Sequence, residues 1–403
     1  MKERIVLLGT MDTKGEEFGF IKSLIERNGL RTLVIDVGVI DPPALEPDIT
    51  RYEVARQAGK DLDVIIRKGP SREIVSRIMA GGAKRILAKL ASSEEMDGII
   101  SLGGTQGTSL ATAVMRSLPV GIPKVMVSTV AAGDTSSLVG FKDITMINAI
   151  ADIAGLNRVT RKILTEAAGA ICGMAKMKIG KKEDKRKLVG ITNIGITTRG
   201  AMKAKEVFEK AGYATMVFHA CGPGGPAMES LMREGQIDGV LDYVTVEVMQ
   251  EMFDGLLFKK SDRMTVAAEM GIPQIICPGG IDNIFGPRDI IMKHFSGRPV
   301  IHHSAVFSNT RATSEELAGL AKEQAKRVSN ARGPVEWFVP TKGFCSYTVK
   351  GEAFYDPEAD KMYINTLTGA LRDDIPVHII DKDINNPEFA TQAAERLIEL
   401  MKK

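Results

Sequence analysis

The stretch DGIISLGGTQGTSLATAVMRSL, residues 97–118, changes its hydrophobic period halfway. Ile99, Ile100 and Leu102 form a short apolar run that suits a strand buried on both faces, Gly103 and Gly104 interrupt it, and SLATAVMRSL continues at helical spacing. PKVMVSTVA, from Pro123, is a second strand, and two strands joined through a helix lie parallel. The same alternation extends toward the N-terminus. RIVLLGT reads as a strand. Phe18, Ile21, Leu24 and Ile25 then repeat at helical spacing before a Gly stop, TLVIDVG is a strand at 32–38, and helical patterns fill roughly 51–92. The fold class is α/β, with mainly parallel sheets covered by helices.

Beyond residue 187 the plan restarts with LVGITNIG, RGAMKAKEVFEKAG, ATMVFHA, PAMESLMREG and DGVLDYV in strand–helix order. Asp97-Gly98 is echoed by Asp238-Gly239, and Gly121-Ile122-Pro123 by Gly271-Ile272-Pro273. A diverged duplication explains both pairs; so does ordinary turn chemistry ahead of strands. The reading is two Rossmann-like domains, 1–178 and 188–403. Residues 335–380 read as shorter β-like pieces, VEWFVPTKG, FYDPEADKMYINT and VHIID, whose tyrosines and lone tryptophan suggest packing on an antiparallel edge.

With 403 residues the chain is long enough for two or three full cores, and 44% hydrophobic residues exclude intrinsic disorder. The net charge of +3 excludes a charge-driven nucleic-acid binder. Residues 176–187 (KMKIGKKEDKRK) carry seven basic and two acidic residues, so this one segment supplies the excess, and it reads as a solvated linker. Four scattered cysteines without a C-x-x-C pair suggest reduced thiols rather than a disulfide framework or a zinc knuckle. The apolar run before Gly9 is too short for a signal peptide, and no run suits a membrane span; a cytoplasmic protein is expected.

In parallel sheets, ligands bind beyond the carboxyl ends of strands, where loops enter helices. Gly103, Gly104, Thr105, Gly107, Thr108 and Ser109 fit an anion cradle: glycines let backbone N–H groups converge, hydroxyls add donors, and the helix dipole favours negative charge. The loop is neither a Walker A sequence nor G-x-G-x-x-G, and tight strand–helix packing alone would also call for glycine there. Around it stand Gly9, Thr10, Asp12, Thr13 and Lys14 after the first strand, and Ser128, Thr129 and Gly133 after another. Thr hydroxyls and Lys14 suit phosphate; Asp12 suits either a divalent cation such as Mg2+ or a helix N-cap. Asp36 ends the second strand, where dinucleotide folds place the acid that binds ribose. Together these loops suit a mononucleotide lying across the sheet edge.

In the second half, His219 and Cys221 precede Gly222, Gly224 and Gly225, a second backbone nest for an anionic substrate, followed by Glu229. Asp242, Thr245 and Glu247, then Asp282, His302 and His303, end or follow other strands. His219 with Glu229 and Asp242 is a workable general acid/base set, with Gly222, Gly224, Gly225, Asp282 and His302 as substrate contacts. Each histidine can equally serve only its local backbone, and thiol catalysis at Cys221 has little support.

The stretches GTMDTKGEE, GGTQGTSLATAVMRSLPVGIPKVMVSTVAAGDTS, ADIAGLNRVTRKIL and AGAICGM, and in the second half VFHACGPGGPAMESLMREGQIDGVLDYVTVEV and HFSGRPVIHH, resemble the tomato mosaic virus resistance protein-like (Tm-one-like) ATP-binding family, an uncharacterised protein family. The resemblance covers nearly the whole chain. It implies two Rossmann-like domains, ATP bound by the first, and homodimerisation. Plant members resemble this chain followed by a further C-terminal domain. Carried onto this sequence, the triphosphate falls on residues 103–109 and the ribose near Asp36. Two functions compatible with this are an ATP-dependent enzyme acting on a small anionic substrate in the second domain, and a nucleotide-gated dimer that engages a protein partner without turnover. A sugar-phosphate or nucleotide-sugar binder would use the same loops.

Overall fold

The computed structural model describes residues 3–177, 184–253 and 256–402. Half of the basic segment, 178–183, lies outside the described residues. The chain divides into two compact units, Met1–Glu183 and Asp184–Lys403.

The N-terminal unit alternates β1 (Arg4–Gly9), α1 (Met11–Arg27), β2 (Arg31–Asp36), α2 (Arg51–Gln57), α3 (Leu62–Lys68), α4 (Arg72–Ser92), β3 (Gly98–Gly103), α5 (Thr105–Met115), β4 (Lys124–Ser128), α6 (Ser136–Val139), β5 (Ile144–Asn148) and α7 (Arg158–Lys176). All neighbouring strands are parallel, in the order β2-β1-β3-β4-β5. Sequence reasoning missed β5, whose residues are only half-buried at the sheet edge. Apolar side chains fill both faces: Phe18, Ile21 and Ile25 of α1 pack with α7 on one, and Ala83 and Leu87 of α4 with Val114 of α5 on the other. The strand order reverses between β1 and β3, where Gly9 and Gly103 end their strands, the kind of position at which open parallel sheets bind ligands.

The C-terminal unit repeats this order and extends it. Its elements are β6 (Leu188–Asn193), a single 3-10 turn at Gly195–Thr197, α8 (Thr198–Lys210), β7 (Ala214–His219), α9 (Gly224–Arg233), β8 (Gly239–Val244), α10 (Val246–Glu251), α11 (Thr265–Met270), β9 (Gln274–Gly279), β10 (Asn283–Pro287), α12 (Arg288–His294), β11 (Val300–His302), β12 (Phe307–Arg311), α13 (Ser314–Arg327), β13 (Val335–Pro340), α14 (Pro357–Ala370), β14 (Val377–Ile380) and α15 (Pro387–Leu400). The main sheet, β7-β6-β8-β9-β13-β14, is parallel throughout; β10, β12 and β11 form a separate antiparallel sheet inserted after β9.

The two units agree down to single hydrogen bonds. Asp97 donates its N–H to the Arg4 carbonyl and accepts the Arg4 N–H on Oδ2 at 2.9 Å. Asp238 does the same with Leu188, at 2.8 Å. Ile99 N–H reaches the Pro123 carbonyl and Val240 N–H that of Pro273, both at 2.9 Å. Thr32 donates to Glu26, itself paired with Lys22; Thr215 donates to Glu209, itself paired with Lys205. The Asp-Gly and Gly-Ile-Pro echoes are therefore structural equivalents. Asp97→Ala and Asp238→Ala each remove one bond from a carboxylate to the N–H opening a first strand, and each is expected to cost about 1 kcal/mol in chemical denaturation. Strongly unequal losses would contradict the equivalence.

Residues 335–380 differ from the sequence expectation. Trp337 lies fully buried in β13, which is parallel to both β9 and β14 rather than on an antiparallel edge. The stretch FYDPEADKMYINT holds a helix, because Asp356 caps the Ala359 N–H and Pro357 occupies the first turn, and its apolar residues serve a helical face. Tyr363 on that helix is buried and donates to Gln324 Oε1 at 2.6 Å.

Candidate functional sites

In the N-terminal unit the structure separates residues spent on the fold from residues left open. A Cβ at Gly9 would fall 2.1 Å from the Phe18 ring, so packing explains that glycine. The Thr10 and Thr13 hydroxyls bond each other at 2.8 Å. Asp12 accepts the Ile40 N–H at 2.9 Å, and Lys14 donates to the Ile153 carbonyl. Asp36 is fully buried, with Oδ1 accepting from Met11 N–H at 3.0 Å and Gly38 N–H at 2.8 Å; desolvation raises its pKa. Its carboxylate anchors the start of α1, a position without the access that ribose hydroxyls require. Thr108 and Ser128, also buried, share a hydroxyl–hydroxyl bond of 2.8 Å.

The first turn of α5 is different. Its N-cap, Gly104, supplies no side-chain hydrogen bond, leaving the opening N–H groups to solvent or a ligand. A Cβ at Gly104 would meet nothing nearer than Thr129 Oγ1 at 3.8 Å; at Gly107 the nearest atom is the Leu102 carbonyl at 3.7 Å, and at Gly133 the Val130 carbonyl at 3.6 Å. None of the three has positive φ. Neither sterics nor backbone conformation demands glycine at these positions. Thr105, Gln106 and Ser109 are exposed and line a cleft of about 610 Å³ against α4, whose contribution includes Arg72, Arg77 and Lys84. These three cations make no hydrogen bond or ion pair among the described residues, and Glu73 is the one acid beside them. Sequence reasoning missed them. The available signal was Arg77, Ala80, Gly81 and Lys84 at helical spacing, a basic stripe floored by small residues.

In the C-terminal unit, the proposed acid/base set comes apart. Glu229 and Asp242 both face Arg263, which is fully buried. Arg263 holds Asp242 through two bonds, Nη2–Oδ1 at 2.7 Å and Nη1–Oδ2 at 3.0 Å, Glu247 through Nε at 2.7 Å, and Glu229 through Nη1 at 3.2 Å. With side chains no more than 2% exposed, these carboxylates lack the substrate access that catalysis requires. The glycine nest is also occupied from within: Glu247 Oε1 accepts from Gly222 N–H at 3.1 Å and Gly225 N–H at 3.3 Å. A Cβ at Gly225 would fall 1.9 Å from Glu247 Oε2, and one at Gly224 equally close to the His219 carbonyl. Gly222 and Gly225 thus receive the protein's own carboxylate in place of an external anion, and Gly224 is a packing glycine against the His219 backbone. Asp282 is fully buried near Arg311, and His302 bonds Ser308 Oγ at 2.9 Å.

A small pocket of this unit lies beyond β6 and β7, lined by Ile194, His219, Cys221, Asn283, His303 and Asn309 among others. His219 belongs to it, whereas of the two adjacent histidines it is His303 that does. Burial and the Glu247 charge push the Cys221 thiol up to about 11, so it stays protonated near neutrality and offers no thiolate.

A family model described as "Uncharacterised protein family (UPF0261) N-terminal domain" matches residues 3–180, and one described as its C-terminal domain matches residues 186–401. The chain belongs to the UPF0261 family. A UPF0261 protein of Clostridium tetani is 43% identical over 405 residues, covering 100% of both chains. The ToMV resistance protein Tm-1(GCR237) of Solanum lycopersicum is 32% identical over 436 residues, which span 99% of this chain but 56% of the tomato protein. Among solved structures, UDP-GlcNAc 2-epimerase from Neisseria meningitidis bound to UDP-GlcNAc aligns over 100% of both chains at 12% identity with a TM-score of 0.26, a likeness too slight to support an argument.

Among the described residues of this UPF0261 protein no helix is long and apolar enough to cross a membrane, and no three His, Cys, Asp or Glu side chains gather as metal ligands. The buried cluster has a pH signature instead. Burial raises Glu229 to about 7 despite Arg263. The folded protein therefore keeps a proton that the unfolded chain releases above its ordinary 4.5, so this group's contribution to stability declines as pH rises from about 4.5 to 7. Glu229→Gln removes that decline. Relative to wild type, the variant is expected to gain about 3 kcal/mol across the interval, measured by chemical denaturation at a series of pH values. Parallel stability profiles would refute the assignment.

Proposed function

We propose that the N-terminal domain binds ATP, with its triphosphate against the first turn of α5 and its negative charge facing Arg72, Arg77 and Lys84. The observation that carries this reading is the open backbone at Gly104 and Gly107: two glycines that the fold does not require, at an uncapped helix N-terminus beside three unpaired cations. Backbone N–H groups, a favourable dipole and mobile cations together make a site for a polyanion. The strand-order reversal at β1/β3 is where the remainder of a nucleotide would lie. Bound ATP, with Mg2+ supplied by solution, serves chemistry on a small molecule held by the C-terminal domain. Anionic character in that molecule has lost its main support, since Glu247 fills the nest. A second reading, a homodimer that engages a protein partner when ATP is bound, draws on the description of the tomato relative as a resistance protein.

Calorimetry with millimolar Mg-ATP tests both readings: saturable heat and a thermal shift are expected, and their absence overturns both. Product analysis separates them. Release of ADP, AMP or phosphate in the presence of a metabolite mixture supports the enzyme; bound ATP recovered intact with an increase in assembly size supports the gated dimer.

A further inference from the structure

The second-domain pocket lies at that domain's own strand-order reversal, between β6 and β8, the place where an open parallel sheet leaves a crevice. Ile194–Ile196 and His219–Cys221 form its base at the strand ends, and the small antiparallel sheet covers it with Asn283, Phe285 and Asn309. Two of these side chains are chemically unfinished. Asn283 and Asn309 are 4% and 3% exposed, yet Oδ1 of each has no hydrogen-bond partner. A buried acceptor left unpaired costs roughly 1–3 kcal/mol, so two in one small space mark a position where donors arrive from outside. Gln250 does not supply them. Its Nε2 donates to the Asn283 carbonyl at 2.9 Å and its Oε1 accepts the Phe285 N–H at 3.2 Å, which fixes the frame around the two carboxamides.

The rest of the lining narrows the ligand. No Lys, Arg, Asp or Glu is among the lining residues. Glu247, next to the lining residue Val246, is committed to Arg263 and to the Gly222 and Gly225 N–H groups, so an ion entering the pocket would meet no permanently charged partner. Phe258, Phe285 and Tyr347 supply ring faces or edges, and His303 meets Phe285 edge-on at 6.1 Å between centroids. The pocket's inner space is about 100 Å³ and it is open to solvent on one side, so it seats a single small ring, and any larger substituent lies outside it.

We infer that this pocket binds an uncharged, planar, single-ring molecule whose N–H or O–H groups donate to Asn283 and Asn309. The inference names a ligand class for the second domain and stands on that domain's geometry alone; it does not depend on ATP binding by the first.

The test uses the full chain without nucleotide and three probes, nicotinamide, cytosine and phenol, followed by saturation-transfer NMR and calorimetry. Saturable binding of at least one is expected, with nicotinate, the charged analogue of nicotinamide, at least tenfold weaker than nicotinamide if nicotinamide binds. Gly195→Phe provides the blocking variant: Gly195 lines the pocket, a Cβ there meets no atom within 4 Å, and the added ring projects from an unstrained position. It should abolish probe binding while leaving the melting temperature unchanged. Asn309→Leu should weaken binding at least tenfold; should it fail to fold, Gly195→Phe still decides. Failure of all three probes to bind, equal or tighter binding of nicotinate where nicotinamide binds, or undiminished binding to Gly195→Phe would each overturn the inference. An ATP isotherm on the same preparation reports separately on the first domain.

Discussion

Arg263→Met is expected to destabilise the C-terminal domain by about 3–5 kcal/mol, a large share of the roughly 5–15 kcal/mol that holds an ordinary domain folded. The reason is the balance of charge in a closed space. One guanidinium neutralises parts of three carboxylates, Glu229, Asp242 and Glu247, whose side chains are no more than 2% exposed. Removing it strands three acids away from water, and each must take up a proton or pull the structure open. The backbone adds to the cost. Met264, the next residue, sits at φ +70°, a left-handed conformation unfavourable for a side chain of its kind, and its N–H is held by Glu229 Oε1 at 2.8 Å. The same cluster joins β8 through Asp242, α9 through Glu229 and α10 through Glu247, while Thr192 of β6 donates to Asp242 at 2.9 Å. Guanidinium denaturation should show the loss in the C-terminal transition, and adding Glu229→Gln to the variant should restore part of it by removing one stranded charge. A loss below about 1 kcal/mol would mean that water reaches the cluster.

The same residues show where sequence reading reaches and where it stops. Period and punctuation were enough for the α/β class: buried strands, helices with one apolar face and glycine stops are local signals, and the main sheet of each unit is parallel as that alternation implies. The inserted sheet of β10, β11 and β12 was illegible because its residues, such as Asn283, Ser308 and Asn309, are polar and yet buried, a pattern that hydrophobic periodicity does not capture. Candidate carboxylates and glycines could be named because their chemistry is local, but their occupation is a long-range matter. Nothing near Gly222 or Gly225 in the chain announces that Glu247, from the next strand–helix connection, reaches back to fill the nest. Nor does Glu229 announce an arginine more than thirty residues further on. The α5 loop stayed legible because it is left open, and an open site keeps its meaning as a sequence motif.

That openness makes Gly104→Val the sharpest probe of the nucleotide reading. At most glycines of the N-terminal domain a side chain would report on the fold: at Gly9 it would strike Phe18, and at Gly82 it would fall 1.9 Å from the Val54 carbonyl. At Gly104 the added Cβ has 3.8 Å to its nearest neighbour and the backbone is extended, with φ −76° and ψ −165°, so valine is conformationally welcome there. What the branched side chain does occupy is the approach to the N–H groups opening α5. A phosphate kept from two such donors forfeits two charge-assisted hydrogen bonds, each about 1.5–3 kcal/mol, and the weaker end of that range already predicts at least a hundredfold loss of ATP affinity. The melting temperature without nucleotide should match wild type, while the thermal shift on adding Mg-ATP should vanish. Gly104→Ala should fall between the two, since a single methyl obstructs less. Arg77→Ala offers an independent check from the opposite wall of the cleft: it should weaken ATP binding more at low salt than at high, because an exposed cation acts through a screened field. Undiminished ATP affinity in Gly104→Val would place the triphosphate elsewhere, whatever the behaviour of Arg77.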